Sequence, residues 1–280
     1  KAVRPHFEPL ADAIENNSQV QSAHAATLQR VELSSAVETD IELPDNEPFN
    51  SMRRYQRIAP VMFMTGGRER ILIADEMGLG KSLQALACVE MAQYERVLIV
   101  CPAIVKHNWA NEIEKWIGTH CLTEASMIKF ASTEIIYGRE GDIQPARFHI
   151  INYDILGARL DQLMAWDYDC IIFDEVHRIK NPKTATTKAA LNIGKNIDGI
   201  IALSGTPITN RPIEFFPILN LMMPATFSNS FTFAKQYCNA RKTAFGWDMT
   251  GSSNIDKSWD GQTTPLNHIL RDFMLRRSMD

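Results

Sequence analysis

From Arg70 to about residue 225 the chain alternates between short apolar runs and amphipathic stretches. The runs at 71–74, 97–100, 148–151, 171–173 and 200–203 are almost continuously apolar. A strand with one wet face alternates polar and apolar side chains. Runs without that alternation predict strands covered on both faces, as in a parallel sheet. Helical periodicities fall between them. Leu83, Leu86, Ala87 and Met91 recur at i, i+3, i+4 and i+8. Val105, Trp109, Ile113, Trp116 and Ile117 form a second stripe, and Ile155, Leu156, Leu160, Leu163 and Met164 a third. Strand–helix alternation of this kind predicts βαβ units and an α/β fold: a doubly wound, mostly parallel sheet with helices on both faces. Residues 11–50, rich in Asn, Gln, Ser, Ala and Glu, read as an irregular or partly helical arm. Beyond residue 225 the pattern dissolves into aromatic, Gly-rich and Ser-rich sequence, and a helical stretch is predicted over 266–277.

Composition narrows the class without choosing a partner. No apolar run reaches the roughly 18 residues needed to cross a bilayer, so no membrane is expected. The start, Lys1-Ala2-Val3-Arg4-Pro5, lacks the apolar core of a secretory signal. Cys88, Cys101, Cys121, Cys170 and Cys238 are odd in number and never spaced Cys-x-x-Cys, which points to free thiols in a reducing cytosolic or nuclear compartment. The net charge of -4 argues at first against nucleic acid. Residues 1–50, however, hold nine acidic and three basic side chains, leaving 26 basic and 24 acidic beyond them. A body so nearly neutral can grip phosphates only through a local patch.

Candidate chemistry sits where predicted strands end. Asp75-Glu76-Met77-Gly78-Leu79-Gly80-Lys81-Ser82 follows one strand and opens a helix. Backbone N–H groups of such a loop wrap a β-phosphate, and the helix N-terminus adds partial positive charge. Lys81 would bridge the β- and γ-phosphates and Ser82 would hold Mg²⁺. The match is imperfect, because Asp75 stands where the phosphate-loop pattern has its first glycine. About 90 residues on, the run at 171–173 ends in Asp174-Glu175-Val176-His177. Ligands of parallel sheets sit at the carboxyl ends of strands, so Asp174 is placed to hold Mg²⁺ and Glu175 to deprotonate an attacking water. Alone, the pair could equally end a strand in solvent; beside a phosphate loop it reads as hydrolytic. Leu203-Ser204-Gly205-Thr206-Pro207 is, alone, an ordinary turn. With the other two, the Ser204 and Thr206 hydroxyls can bond the carboxylate–histidine group and sense a γ-phosphate.

These motifs, with Tyr55-Gln56, the stretch Cys101-Pro102 through Trp109 and Glu112, and Arg178-Ile179-Lys180-Asn181 after the histidine, resemble the SWI/SNF-type ATPases of helicase superfamily two. Five motifs stand in the family's order over roughly residues 50–225. Phe245-Gly246-Trp247 and Gly251-Ser252-Ser253-Asn254 are similar to its fork-remodelling, strand-annealing branch. The charge count makes residues 1–50 an acidic arm; the resemblance implies a RecA-like ATP-binding lobe over 51–225, and a segment 226–280 leading toward a second RecA-like lobe that carries an arginine finger. It implies ATP and Mg²⁺ as cofactors and double-stranded or branched DNA as partner. Gln56 would contact adenine, and His177 would couple the nucleotide to Ser204, Gly205 and Thr206. Lys106, Tyr153, Lys180 and Asn181 match segments that touch DNA. Val176 departs from the small residue usual there, so the turn must accommodate two extra methyl groups.

Two other functions fit the same motifs, an RNA helicase of the superfamily and a nucleotide-binding module inactive without a partner lobe. Lys180-Asn181 favours the DNA branch over the first, and intact Lys81, Asp174 and Glu175 argue against the second.

Overall fold

A computed structural model of the chain describes residues 18–67, 69–118, 132–205, 211–244, 246–256 and 263–279. Among these the strands are β1 (Arg70–Ile73), β2 (Val97–Cys101), β3 (Thr133–Ile135), β4 (Phe148–Asn152), β5 (Cys170–Phe173), β6 (Gly199–Leu203), β7 (Arg241–Thr243), β8 (Gly246–Asp248) and β9 (Met274–Leu275). Seven form one sheet in the order β3-β4-β2-β5-β6-β1-β9, parallel at every pairing. β7 and β8 form a separate antiparallel hairpin.

Strand alternation explains why the runs are apolar throughout. Leu72, Leu98, Ile171, Phe173 and Ile200 enter one core, with the helices Ala185–Gly194, Phe216–Met222 and Ser230–Tyr237. Their neighbours Ile71, Ile73, Ile99, Ile172 and Ile201 enter the other, beneath the helices Ile58–Met64, Lys81–Met91 and Lys106–Ile113. Each such side chain is fully buried and contributes about 1.5–3 kcal/mol. A polar residue at any of these positions would face protein whichever way it pointed.

The register sets the site. Ile73 pairs with Leu203 and Phe173 with Ala202, so β1, β6 and β5 end side by side. The three motifs leave the sheet at those adjacent ends.

Several elements depart from the expectations. The third stripe is two short helices, Tyr153–Leu156 and Leu160–Met164, and the second continues past Ile113 into a π-helical turn, Glu114–Gly118. The stretch 266–277 is helical only over Leu266–Leu270; it then turns into β9 beside β1. β1 would otherwise be an open edge, and backbone pairing there outweighs helical continuation. The helix Ser18–Leu33 is docked: buried Arg30 donates to the carbonyls of Thr65 (3.1 Å), Arg70 (2.9 Å) and Asp272 (2.6 Å). Cys88, Cys101, Cys170 and Cys238 are buried free thiols, and Cys121 lies outside the described residues. No helix among the described residues is long and apolar enough to cross a membrane.

Candidate nucleotide site

The loop after β1 has the backbone its glycines allow. Gly78 and Gly80 take φ of +89° and +74°, left-handed values that a side chain disfavours. Gly80 also lies against Gln56, whose Nε2 would overlap a Cβ placed there. Lys81 opens the next helix, and its ammonium donates to the carbonyls of Asp75 (2.8 Å) and Glu76 (3.1 Å). It makes no ion pair within 4 Å among the described residues, though its charge is felt by the Asp174 carboxylate. Ser82 follows, half-buried, and Met77 is 74% exposed.

Asp75, the departure from the glycine pattern, is completely buried. Its carboxylate accepts a fork from Arg277, Nε to Oδ1 at 3.0 Å and Nη2 to Oδ2 at 2.7 Å, and a third bond from Gln84 Nε2 at 3.0 Å. Gln56 is buried too. Its Oε1 accepts from the Arg53 backbone N–H (2.8 Å) and its Nε2 donates to the Leu79 carbonyl (3.0 Å), so its amide braces the loop.

At the end of β5, Asp174 Oδ2 accepts from the Trp109 indole at 2.8 Å, and the Asp174 carbonyl accepts from the Tyr153 hydroxyl at 2.8 Å. Burial pushes the Asp174 carboxyl above its usual range, against the Trp109 hydrogen bond, which lowers it. Glu175 takes φ +51°, a left-handed conformation that costs a non-glycine residue about 1–3 kcal/mol and is concentrated at functional sites. Its Oε2 lies 3.2 Å from His177 Nδ1, which is also 3.3 Å from Ser204 Oγ at the end of β6. Gly205 closes the ring, since a Cβ there would lie 3.3 Å from Met77 and 3.9 Å from Lys81 Nζ. The loop, the carboxylate pair and the hydroxyl motif therefore surround one space. Thr206 lies outside the described residues. Val176 is fully buried, its methyl groups taken up by the core.

The expected DNA contacts divide. Lys106 is 6% exposed, with its ammonium on the Ile136 carbonyl (3.0 Å), on Asn152 Oδ1 (3.1 Å) and over the Tyr137 ring. Tyr153 is 2% exposed, its hydroxyl spent on Asp174. So enclosed, neither side chain is presented to a phosphate backbone in this arrangement. Lys180 and Asn181 do reach the surface, Lys180 paired with Glu214 at 3.3 Å and Asn181 Oδ1 accepting from the Lys183 N–H. Of the annealing-branch features, Gly246 and Trp247 lie in the hairpin and Phe245 lies outside the described residues.

Sequence reasoning missed Gln84, the role of Trp109 and Arg277. Trp109 had a signal, an indole in the apolar stripe after β2. Arg277 had none, being 202 residues from its partner.

The donors fit a magnesium nucleotide. The loop offers an ammonium hydrogen-bonded only to loop carbonyls, while Asp174 and Ser82 supply the one carboxylate and one hydroxyl that Mg²⁺ needs when phosphates complete its shell. Among the described residues there is no cluster of three or more His, Cys, Asp or Glu that could cage a metal without them.

The SNF2-related domain family matches residues 55–280. The SWI/SNF-related matrix-associated actin-dependent regulator of chromatin subfamily A-like protein 1 of Xenopus laevis is 32% identical over 266 residues, covering 90% of this chain and 26% of that protein. The DNA annealing helicase and endonuclease ZRANB3 of Mus musculus is 33% identical over 217 residues, 74% of this chain and 19% of that protein. The chain thus spans about a quarter or less of the length of these relatives. In fold it is similar to the Sulfolobus solfataricus SWI2/SNF2 ATPase core solved in complex with dsDNA, with a TM-score of 0.60 and 24% identity over 85% of this chain and 45% of that one. With the family matched over most of its length and the family's motifs gathered at three adjacent strand ends, the chain belongs to the SNF2-related domain family.

Proposed function

We propose that the chain is the ATP-binding, RecA-like lobe of a DNA-dependent ATPase that moves along or remodels double-stranded or branched DNA. The observation that carries this is the convergence of Lys81, Asp174–Glu175 and His177–Ser204 at the ends of β1, β5 and β6. The loop N–H groups and Lys81 would hold the phosphates, Gln56 would meet the adenine with the N–H and lone pair that its bonds to Leu79 and Arg53 leave over, and Ser82 and Asp174 would hold Mg²⁺. Bound Mg²⁺ supplies charge that offsets what develops on the transferring phosphoryl group. Trp109 orients the Asp174 carboxylate that would join the metal's shell. Glu175 orients the attacking water and takes its proton, and His177 links that carboxylate to Ser204. Asp75, Glu76, Met77, Gly78, Leu79 and Gly80 shape the loop; Ser204, Gly205 and Thr206 report the state of the γ-phosphate.

Lys180 and Asn181 are the remaining DNA-facing candidates on this lobe. A second RecA-like lobe would supply the arginine finger and close over the nucleotide when DNA is gripped. In a eukaryotic cell such a protein works in the nucleus.

The test is steady-state ATP hydrolysis by the two-lobe protein with duplex DNA, forked DNA or RNA added. DNA should stimulate and RNA should not. Glu175→Gln should bind ATP as before and turn it over at least a hundredfold more slowly, general-base catalysis contributing about 10²–10⁴. Equal stimulation by RNA would replace the DNA reading with the RNA-helicase one, and normal turnover by Glu175→Gln would remove the base.

A further inference from the structure

The segment after β9 does more than complete the sheet edge. Leu72 and Ala74 donate to the Phe273 and Leu275 carbonyls at 2.7 Å each. The same ladder continues past the end of both strands, with the Glu76 N–H donating to the Arg277 carbonyl at 3.0 Å and the Met279 N–H to Glu76 Oε2 at 3.1 Å. Residues 273–279 therefore lie along β1 and on along the phosphate loop itself. Met279 reaches Gly78, where a Cβ would come within 2.8 Å of its methyl carbon.

One side chain in this segment joins the loop's foundations. Besides its fork on Asp75, Arg277 donates from Nη2 to Gln84 Oε1 at 2.7 Å and from Nη1 to the Tyr55 carbonyl, with its guanidinium 5.1 Å from the Tyr55 ring centre. Gln84 and Tyr55 in turn both donate to the Leu79 carbonyl, at 3.3 and 3.2 Å. The carbonyl of Asp75 receives Lys81 Nζ. The loop is thus held at its first residue and at Leu79 by groups that Arg277 orients. A lysine could supply the charge but not the planar fork that meets a carboxylate, an amide and a carbonyl together.

We propose that Arg277 is a positioning residue for the nucleotide loop, and that docking of segment 273–279 and binding of nucleotide stabilise one another. This rests on the reading of the loop as an ATP site. Coupling of this kind is reciprocal: whatever factor the docked segment adds to nucleotide affinity, the nucleotide adds to docking. A pull on the chain beyond residue 279 would then be felt at Lys81 without any motion of the helices.

Titration of the 280-residue chain with a fluorescent non-hydrolysable ATP analogue tests this, with hydrogen exchange of the peptide 271–279 followed in parallel. Arg277→Lys should weaken the analogue about ten- to hundredfold, the range for losing charge-assisted hydrogen bonds. In the unaltered chain the analogue should slow exchange across 271–279, and in Arg277→Lys that protection should vanish although thermal melting shows a folded protein. Lys81→Ala separates the two readings. If it loses the analogue while Arg277→Lys binds normally, the positioning role is overturned alone. If the unaltered chain fails to bind, or Lys81→Ala binds equally well, the ATP site and the coupling fall together. Should Arg277→Lys not fold, unchanged exchange across 271–279 in the unaltered chain with saturating analogue would still overturn the proposal.

Discussion

Lys106 shows how a charged side chain can be structural in a protein that handles phosphates. Its ammonium bridges the Ile136 carbonyl, just beyond β3, and Asn152 at the end of β4, and burial draws its pKa below the usual lysine value. Lys106→Met keeps the stem and removes the donor, leaving two acceptors short of a partner at a cost of about 1–3 kcal/mol. Denaturant unfolding should register that loss, while the salt dependence of DNA binding by the variant should be unaltered. Wild-type stability together with a shallower salt slope would return Lys106 to the DNA surface. Tyr153 is alike in kind: its hydroxyl holds the Asp174 backbone carbonyl and so helps to fix the end of β5.

Among the elements, the N-terminal helix Ser18–Leu33 falls within the stretch expected to be an irregular or partly helical arm. Its apolar pattern is weak, and what ties it down is Arg30, which gathers carbonyls from the turn after Ile58–Met64, from the start of β1 and from the turn before β9, with the Asp272 carboxylate 3.7 Å away. Gly66, with φ +76°, lets that turn approach Ala26 closely. Arg30→Ala should destabilise the chain by about 3–5 kcal/mol, the usual cost of removing one partner of a buried ion pair. Limited proteolysis should then cut within 18–33 first. Wild-type stability in this variant would show that the helix is held by something else.

For the whole molecule, a nearly balanced charge beyond residue 50 and few surface candidates for DNA contact predict weak binding. Each phosphate neutralised should add roughly 0.9 to the slope of log affinity against log salt, so even a few contacts make the binding salt-sensitive. Hydrolysis by the 280-residue chain alone should be slow and barely stimulated by duplex or forked DNA, because a finger arginine contributes about 10³–10⁵ in rate and lobe closure needs two lobes. Strong stimulation of the isolated chain would show that it completes its own site by self-association, or that it does not work as half of a two-lobe motor.

The parts legible in the sequence are those carried by local pattern. The strands β1, β2, β4, β5 and β6 are buried on both faces, so they are apolar almost throughout, with His149 inside β4 a buried exception bonded to the Tyr168 hydroxyl and the Gln144 carbonyl. The motifs that follow β1, β5 and β6 had to end at the carboxyl edge, where a parallel sheet collects ligands. What the sequence could not disclose depends on partners distant along the chain. β3 and β9 are three and two residues long, too short for any periodicity, and exist because a neighbouring edge offers unpaired backbone groups. The 266–277 stretch looked helical because its apolar spacing suits a helix, and only the open side of β1 turned it into a strand. Lys106 and Tyr153 passed for surface contacts because nothing in a lone residue's identity tells which side of a strand end it occupies. Arg277 and Asp75 decide the footing of the phosphate loop, yet a buried charge pair is visible only once folding has brought its two ends together.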